Sequence, residues 1–424
     1  MDLNRFTTSR RSLLLGAGAL GLAGCAGVSD RSIAGASRFP LTQAVLDRYV
    51  AEDKLPGATV GLRLPDGSDA FLQAGTLDYG ITAAMNRDTL FRIYSMTKPI
   101  TGAAAALLIE DGRLSLDQPV ADFVPEFSRL TVAVDPETSL DARPAQTVMT
   151  MRHLLTHTSG LTYTIAGDGP VQRAYRAAGI FPFTGELGGS PGDGPKVADL
   201  DEMVRRLADI PLLHEPGAAM NYSVSLDVMG LVIQRASGMP FPTFLQRRLF
   251  DPIGMDDTVW RLRPGDTRRL AEVHSYSDAG RRVERTASAA VYSAPVSLYA
   301  GGAGLISSTK DYLDFLSMLL DGGRAGRVRV MKPETAALIH SDILPPGVEA
   351  ESGYGFGGSV GRPGQPRASE YGWGGAAGTV GWMDPARRYA GVIMAQFFPY
   401  GSVRIARDAR VAIGQDLAEV FATT

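Results

Sequence analysis

The stretch that most constrains this chain is Phe91-Arg92-Ile93-Tyr94-Ser95-Met96-Thr97-Lys98-Pro99-Ile100-Thr101, which opens onto the apolar run Gly102-Ala103-Ala104-Ala105-Ala106-Leu107-Leu108-Ile109-Glu110. The run predicts a long apolar helix, with Gly112 placed to close it. At its mouth a serine stands three residues ahead of a lysine. Residues three apart lie one above the other on a helix face, so the Lys98 side chain can reach the Ser95 hydroxyl. A serine hydroxyl is a poor nucleophile near neutral pH unless a base adjoins it. Desolvation in a cleft and the positive end of a helix both favour the neutral amine that a lysine base must be. The same helix end aims backbone N–H groups at any oxyanion formed on an acyl carbon. On spacing alone Ser95 could instead be an ordinary N-cap.

The chain contains its own control. Ser307-Ser308-Thr309-Lys310 repeats the spacing ahead of Asp311-Tyr312-Leu313-Asp314-Phe315-Leu316-Ser317-Met318-Leu319-Leu320. There Ser308 and Asp311 have capping-box spacing and the helix is amphipathic in the usual way, so this second match is structural. The first therefore needs support from elsewhere in the chain.

With 424 residues, 45% hydrophobic and 21% charged, the composition is that of a globular protein large enough for two lobes. The net charge is −3, and without residues 1–24 it becomes −5, from 39 basic against 44 acidic side chains. That balance leaves no electrostatic footprint for nucleic acid.

Residues 1–24 are expected to be an export signal. Ser9-Arg10-Arg11-Ser12-Leu13-Leu14-Leu15 sets an arginine pair before a short apolar run ending at Leu22-Ala23-Gly24-Cys25. The run is too short and glycine-rich to span a bilayer permanently. It resembles a twin-arginine signal joined to a lipoprotein cleavage box at 22–25, with Cys25 as the lipidated first residue. The competing possibility is a plain cleaved signal in which Cys25 has no role. Cys25 is the only cysteine, which excludes a disulfide within the chain and a thiolate metal site. Gly16-Ala17-Gly18-Ala19-Leu20-Gly21 matches a dinucleotide fingerprint but lies in this leader with no strand before it.

Beyond a linker at 25–40, residues 41–52 are consistent with a helix. Ala58–Leu64 and Ala70–Gly75 flank Pro65-Asp66-Gly67-Ser68 as a hairpin. Residues 121–282 look mainly helical, and Met151–Leu161 is expected to form a short helix closed by Gly160. It carries His153 and His157 four apart, a spacing able to hold a metal but without an evident third ligand. Residues 166–195, rich in Gly and Pro, look like an irregular insertion. Within it Gly188-Gly189-Ser190-Pro191-Gly192 has the form of a nucleophile elbow, but Pro191 lacks the N–H such an elbow uses, so Ser190 is set aside. A helix is expected from Val224 to Ala236. Strands are expected at Tyr354–Val360, Gly378–Asp384 and Tyr389–Phe397, and a final helix at 403–421. Early and late strands around a helical middle imply an α/β lobe from 41–120 and 283–424 with 121–282 inserted as a second lobe, and a cleft between them.

Several stretches now stand in order: Ser95-Met96-Thr97-Lys98; Leu154-Leu155-Thr156-His157-Thr158-Ser159-Gly160; Tyr222-Ser223-Val224 after Glu215-Pro216-Gly217; Gly301-Gly302-Ala303-Gly304-Leu305; and Trp373-Gly374-Gly375-Ala376. Together they resemble the serine β-lactamase and penicillin-recognising superfamily over residues 40–415, with class C β-lactamases and family VIII carboxylesterases as its nearest branches. The resemblance implies an α+β fold of the β-lactamase/transpeptidase type, an antiparallel sheet flanked by helices plus an inserted mainly helical lobe. It implies Ser95 as nucleophile, Lys98 assisting its deprotonation, and Tyr222 as general base that passes the proton to the leaving group. Trp373, Gly374 and Gly375 would take the place of a Lys-Thr-Gly strand motif in substrate binding, and the backbone N–H groups of Ser95 and Ala376 would form the oxyanion hole.

Two departures bear on substrate. Val224 stands where β-lactamases commonly carry Asn and cannot hydrogen-bond a substrate amide. Trp373 replaces a cation that would attract a substrate carboxylate and adds an apolar wall. The expected function is an exported, lipid-anchored serine hydrolase that cleaves small carboxylic esters through an acyl-enzyme, with no cofactor, no metal and no nucleic-acid partner. A β-lactamase or D-alanyl-D-alanine carboxypeptidase of the same fold, and a non-catalytic cell-wall-binding lipoprotein, are the alternatives.

Overall fold

The computed structural model describes residues 36–182, 193–277, 282–285 and 289–422. The leader, Cys25 and the Ser190 motif lie outside them. The expected hairpin forms: β1 (Gly57–Arg63) and β2 (Asp69–Gly75) pair antiparallel around a turn in which the Ser68 N–H donates to Asp66 and Gly67 takes a φ of +81°. Five later strands extend it: β3 (Gly353–Tyr354), β4 (Ser359–Val360), β5 (Tyr371–Gly375), β6 (Thr379–Asp384) and β7 (Tyr389–Met394). The order is β3-β4-β5-β6-β7-β1-β2, antiparallel throughout, so the first and last parts of the chain meet where β1 pairs with β7.

Five helices frame the sheet and site: α1 (Pro40–Ala51), α2 (Thr97–Glu110), α3 (Ser225–Ser237), α4 (Thr309–Leu320) and α5 (Ile405–Ala422). Because side chains alternate across a strand, both sheet faces are covered. On one face Val60, Leu62, Leu72, Trp382 and Ile393 pack with Leu46 and Tyr49 of α1 and Ile405, Ala409 and Ile413 of α5. On the other, Met383, Val392 and Met394 join Leu313, Leu316 and Leu319 of α4 and the residues of α2. The terminal helices are also tied by Asp416, which accepts from the Thr42 N–H at 2.8 Å and the Thr42 hydroxyl at 2.6 Å.

Helix α2 runs through the larger core. All its residues from Thr97 to Leu108 are buried, as a helix apolar on every side requires. Side chains such as Ile100, Leu107 and Leu108 contribute about 1.5–3 kcal/mol each by leaving water. Gly102 lets the hairpin between β3 and β4 press on the helix, since a Cβ there would stand 2.2 Å from the Phe356 carbonyl oxygen. Helix α4 opens as expected for a structural serine: the Ser308 hydroxyl accepts from the Asp311 N–H at 3.1 Å.

Several local expectations are corrected. Tyr354–Val360 is not one strand, because Gly357 adopts a φ of +74° and turns it into the β3–β4 hairpin. The helix from Met151 stops at Leu155, where the Thr156 hydroxyl donates to the Arg152 carbonyl and His157 turns left-handed at φ +57°. The run 166–195 contains a helix, Pro170–Ala177, with proline at its start where the missing N–H costs nothing. Trp373-Gly374-Gly375 lies inside a strand of its own, β5, which pairs with the expected strand that follows it, β6. The last strand breaks at Met394, and Phe397–Phe398 pairs instead in parallel with His274–Tyr276.

Candidate active site

The turn that carries Ser95 is clamped from several sides. The short strand Leu90–Arg92 pairs with Ile306–Ser308 just ahead of it, and the Tyr312 hydroxyl of α4 donates to the Met96 carbonyl at 2.9 Å just after it. Tyr94, buried between them, sits at a φ of +41°, a conformation that costs a non-glycine residue about 1–3 kcal/mol and persists only where the surroundings enforce it. Its hydroxyl lies 3.0 Å from that of Tyr292. Residues Tyr94–Met96 make a 3-10 turn, with Ser95 half-buried among buried neighbours. Met96, not Ser95, occupies the N-cap of α2, and no side chain caps it. Ser95 is thus displayed rather than used as a cap.

Three side chains from two separate parts of the chain meet there. Lys98 Nζ donates to Ser95 Oγ at 3.2 Å, and the Tyr222 hydroxyl donates to the same oxygen at 2.7 Å. The Lys98 ammonium lies 4.5 Å from the centre of the Tyr222 ring and 5.2 Å from that of Tyr163. Lys98 is fully buried, so its charge acts in a medium that screens little. Tyr222 is brought here by the segment before α3: Asn221 is held through its N–H to the His157 carbonyl at 2.8 Å and its side-chain amide to the Leu161 carbonyl at 2.9 Å. Val224 is fully buried in the apolar core at the N-cap of α3, and it offers no polar group toward the site.

A second layer lies behind Lys98, and sequence reasoning missed it. Lys98 Nζ also donates to the Gly302 carbonyl at 2.8 Å, while the Gly302 N–H donates to Asp227 Oδ1 at 2.8 Å. The Tyr163 hydroxyl donates to Asp227 Oδ2 at 3.0 Å. Gly302 thus stands between the ammonium and a buried carboxyl group, its carbonyl turned to the one and its N–H to the other. Burial pushes the Asp227 carboxyl up to about 6, against the opposing pull of the Lys98 charge, the Gly302 N–H and the Tyr163 hydroxyl. Burial, then the adjacent Asp227 charge, push the Tyr163 phenol well up. The available signal was a lone carboxylate in the apolar turn Leu226-Asp227-Val228-Met229. Residues 301–304 stand out in the sequence only as one of the stretches that carry the resemblance, and nothing in the sequence sets Asp227 beside them.

The two histidines take separate partners. His153 Nδ1 accepts from the Thr150 N–H in a capping box, and His157 Nδ1 accepts from the Ser223 N–H at 3.2 Å. Burial, and secondarily the Lys98 charge, push the His157 imidazole well down, so it is neutral. Its ring packs on Tyr222 with centres 4.7 Å apart. Trp373 donates from Nε1 to the Tyr222 oxygen at 3.3 Å and meets the Tyr354 ring edge-on at 5.3 Å.

The end of β5 lies against the Ser95 turn. A Cβ on Gly375 would stand 2.4 Å from the Ile93 carbonyl oxygen, so glycine there lets strand and turn touch. Ala376, the next residue, is half-buried, and among the described residues neither its N–H nor that of Ser95 donates to a turn or loop carbonyl.

A strand edge, a helix start and a paired lysine and tyrosine around one serine are joined by a match along most of the chain: a model of the Beta-lactamase family covers residues 42–415. The chain belongs to the beta-lactamase family. An uncharacterized protein of Mycobacterium tuberculosis is 36% identical over 273 residues, which is 64% of this chain and 64% of that one, so the chain spans under two thirds of that relative's length. Esterase EstB of Burkholderia gladioli is 33% identical over 351 residues, 77% of this chain and 80% of that protein. Among solved structures, EstCE1, a hydrolase with promiscuous acyltransferase activity, superposes with a TM-score of 0.73 at 25% identity over 90% of this chain and 100% of that one. The fold of this beta-lactamase family member is therefore of the β-lactamase/transpeptidase type.

Proposed function

We propose that this protein is a serine hydrolase that cleaves small carboxylic esters through an acyl-enzyme. The observation that carries the proposal is the convergence of Lys98 Nζ and the Tyr222 hydroxyl on Ser95 Oγ, at 3.2 and 2.7 Å. In the reactive form Lys98 and Tyr222 together hold one proton fewer than their full complement. Ser95 Oγ attacks the ester carbonyl as its proton passes to this pair. The tetrahedral intermediate then expels the alcohol, whose oxygen takes the proton from Tyr222. Water attacks the acyl-serine with Tyr222 accepting its proton, and Ser95 departs with that proton as the acid is released. The N–H groups of Ser95 and Ala376 receive the oxyanion, each donor of this kind being worth about 3 kcal/mol of barrier. Gly374 and Gly375 leave the strand edge open to the substrate beside Trp373.

The ester preference is supported by what the site lacks. An indole occupies position 373, so no ammonium there attracts a lactam or peptide carboxylate, and Val224 is buried with no hydrogen bond to offer a substrate amide. Turnover of a p-nitrophenyl ester set beside a chromogenic cephalosporin and a D-alanyl-D-alanine peptide tests the preference. Faster turnover of either of the last two overturns it. A fluorophosphonate adduct on Ser95, found by mass spectrometry and lost in Ser95→Ala, is expected, whereas a non-catalytic binding lipoprotein would show none. The leader further supports export and a lipid anchor at Cys25 on the bacterial envelope. Labelled palmitate in the mature chain, absent after Cys25→Ala, is the expected result.

A further inference from the structure

We propose that Trp373, beyond forming a wall of the substrate site, is a positioning residue for the proton-carrying phenol, through a charge-neutral hydrogen bond from its indole N–H to the Tyr222 oxygen. The inference rests on the hydrolase proposal above and assigns one more side chain to the same site. The Tyr222 hydroxyl spends its own proton on Ser95 Oγ at 2.7 Å, while Trp373 Nε1 donates to the phenol oxygen at 3.3 Å. When Tyr222 has given up its proton, the phenol oxygen keeps the indole as a donor. A hydrogen bond to the charged form favours that form.

The indole cannot drift away from this task. Its ring meets Tyr354 edge-on at 5.3 Å and lies 5.7 Å from Tyr222 at a shallow tilt of 35°. Along the strand it stands between Gly372 and Gly374 and opposite Gly381, so no neighbouring side chain on those positions crowds it. Indole N–H is a donor only and carries no charge. A lysine at this position would supply a stronger, charge-assisted donor, but it would also place a second ammonium near Lys98. Tryptophan therefore retains the donor to the phenol while giving up the attraction for an anionic substrate.

The other groups facing Tyr222 do not replace this contact. Lys98 lies 4.5 Å from the ring centre and directs its bonds to Ser95 and Gly302. His157, with ring centres 4.7 Å apart, is neutral and uses Nδ1 for Ser223. The Tyr163 ring lies 5.3 Å away with its hydroxyl on Asp227, and Tyr354 adds only a buried phenol whose charged form burial opposes.

Two replacements in the full chain test the proposal: Trp373→Phe, and substitution of Trp373 by benzothienylalanine, which keeps the shape of tryptophan but has sulfur in place of the N–H. Both are expected to lower kcat by roughly tenfold to a hundredfold, the range of a hydrogen bond to a charged group. They should also move the acidic limb of the kcat/KM profile to higher pH, since the ionised phenol has lost a donor. KM for a small ester should stay nearly unchanged with benzothienylalanine. A second readout needs no turnover. In protein labelled with ζ-13C-tyrosine, the resonance lost in Tyr222→Phe should titrate at higher pH in both replacements. If benzothienylalanine matches the parent protein in both rate and titration while phenylalanine does not, Trp373 acts by shape alone and the proposal falls. If instead the parent forms no fluorophosphonate adduct on Ser95 yet the tyrosine resonance still shifts, the hydrolase proposal fails and the hydrogen bond stands.

Discussion

Asp227→Asn separates what the buried carboxyl group costs from what it contributes. A rise from the ordinary 3.8 to about 6 corresponds to about 3 kcal/mol of preference for the neutral acid in the folded protein. The folded state therefore binds the proton more tightly than the unfolded chain, and its stability falls as pH rises from about 4 through about 6. Asparagine is neutral at every pH and nearly the same size. Its amide oxygen can still accept from the Gly302 N–H, and the Tyr163 hydroxyl can rotate to accept from its NH2. The variant should be more stable than the parent at pH 7, by up to about 3 kcal/mol, with the gap closing below pH 4. Asp311, which burial also pushes up to about 6, is present in both proteins and cancels in the difference. Activity should move the other way. Without the carboxylate, the buried Lys98 ammonium loses a neighbouring opposite charge, and kcat/KM at pH 7.5 should fall by about tenfold, equivalent to about 1.4 kcal/mol. That deficit should vanish as pH drops through about 6, where the parent's own carboxyl takes up its proton. Urea unfolding at pH 4, 5.5 and 7, with kcat/KM measured over the same span, checks both halves. A variant destabilised equally at every pH would refute the reasoning, because it would mean that the charge carries no burial cost.

Tyr163→Phe removes one donor to Asp227, so the carboxyl should rise further and the pH at which activity declines should move above that of the parent; a profile unchanged from the parent would contradict the contact at 3.0 Å. Ser308→Ala deletes the cap on α4 and should cost about 1 kcal/mol in urea unfolding, with kcat for a small ester unaltered, in contrast to the complete loss expected from Ser95→Ala. Gly102→Ala drives a methyl group to within 2.2 Å of the Phe356 carbonyl oxygen and should cost about 1–3 kcal/mol despite alanine's better helix propensity, as thermal unfolding would show.

What could be read in the chain was local. The Ser95 and Lys98 pair depends on a three-residue spacing that any helix converts into contact, and the difference between Ser95 and Ser308 was visible because only Ser308 is followed by an acidic residue at capping distance. The hairpin of β1 and β2 was equally plain, since its turn residues determine the reversal. Tyr222, Trp373 and Ala376 were identified by resemblance to a family rather than by any force acting between neighbours. Where local signals competed, the outcome could not be read in advance. Gly357 makes two short strands of what looked like one, and the helix holding His153 ends early because Thr156 and His157 leave the helical ladder.

Amino-acid order alone determined that a serine hydroxyl and an amine would meet at the mouth of an apolar helix, because helical geometry brings residues three apart together. Only the packed chain decided that Tyr222 would reach that hydroxyl from 127 positions away, that Trp373 would reach Tyr222, and that Asp227 would lie behind Gly302. Those meetings depend on how a sheet closed by the two ends of the chain is set against the helices between them. No interaction among sequence neighbours encodes that placement, which comes from burying both faces of the sheet at once.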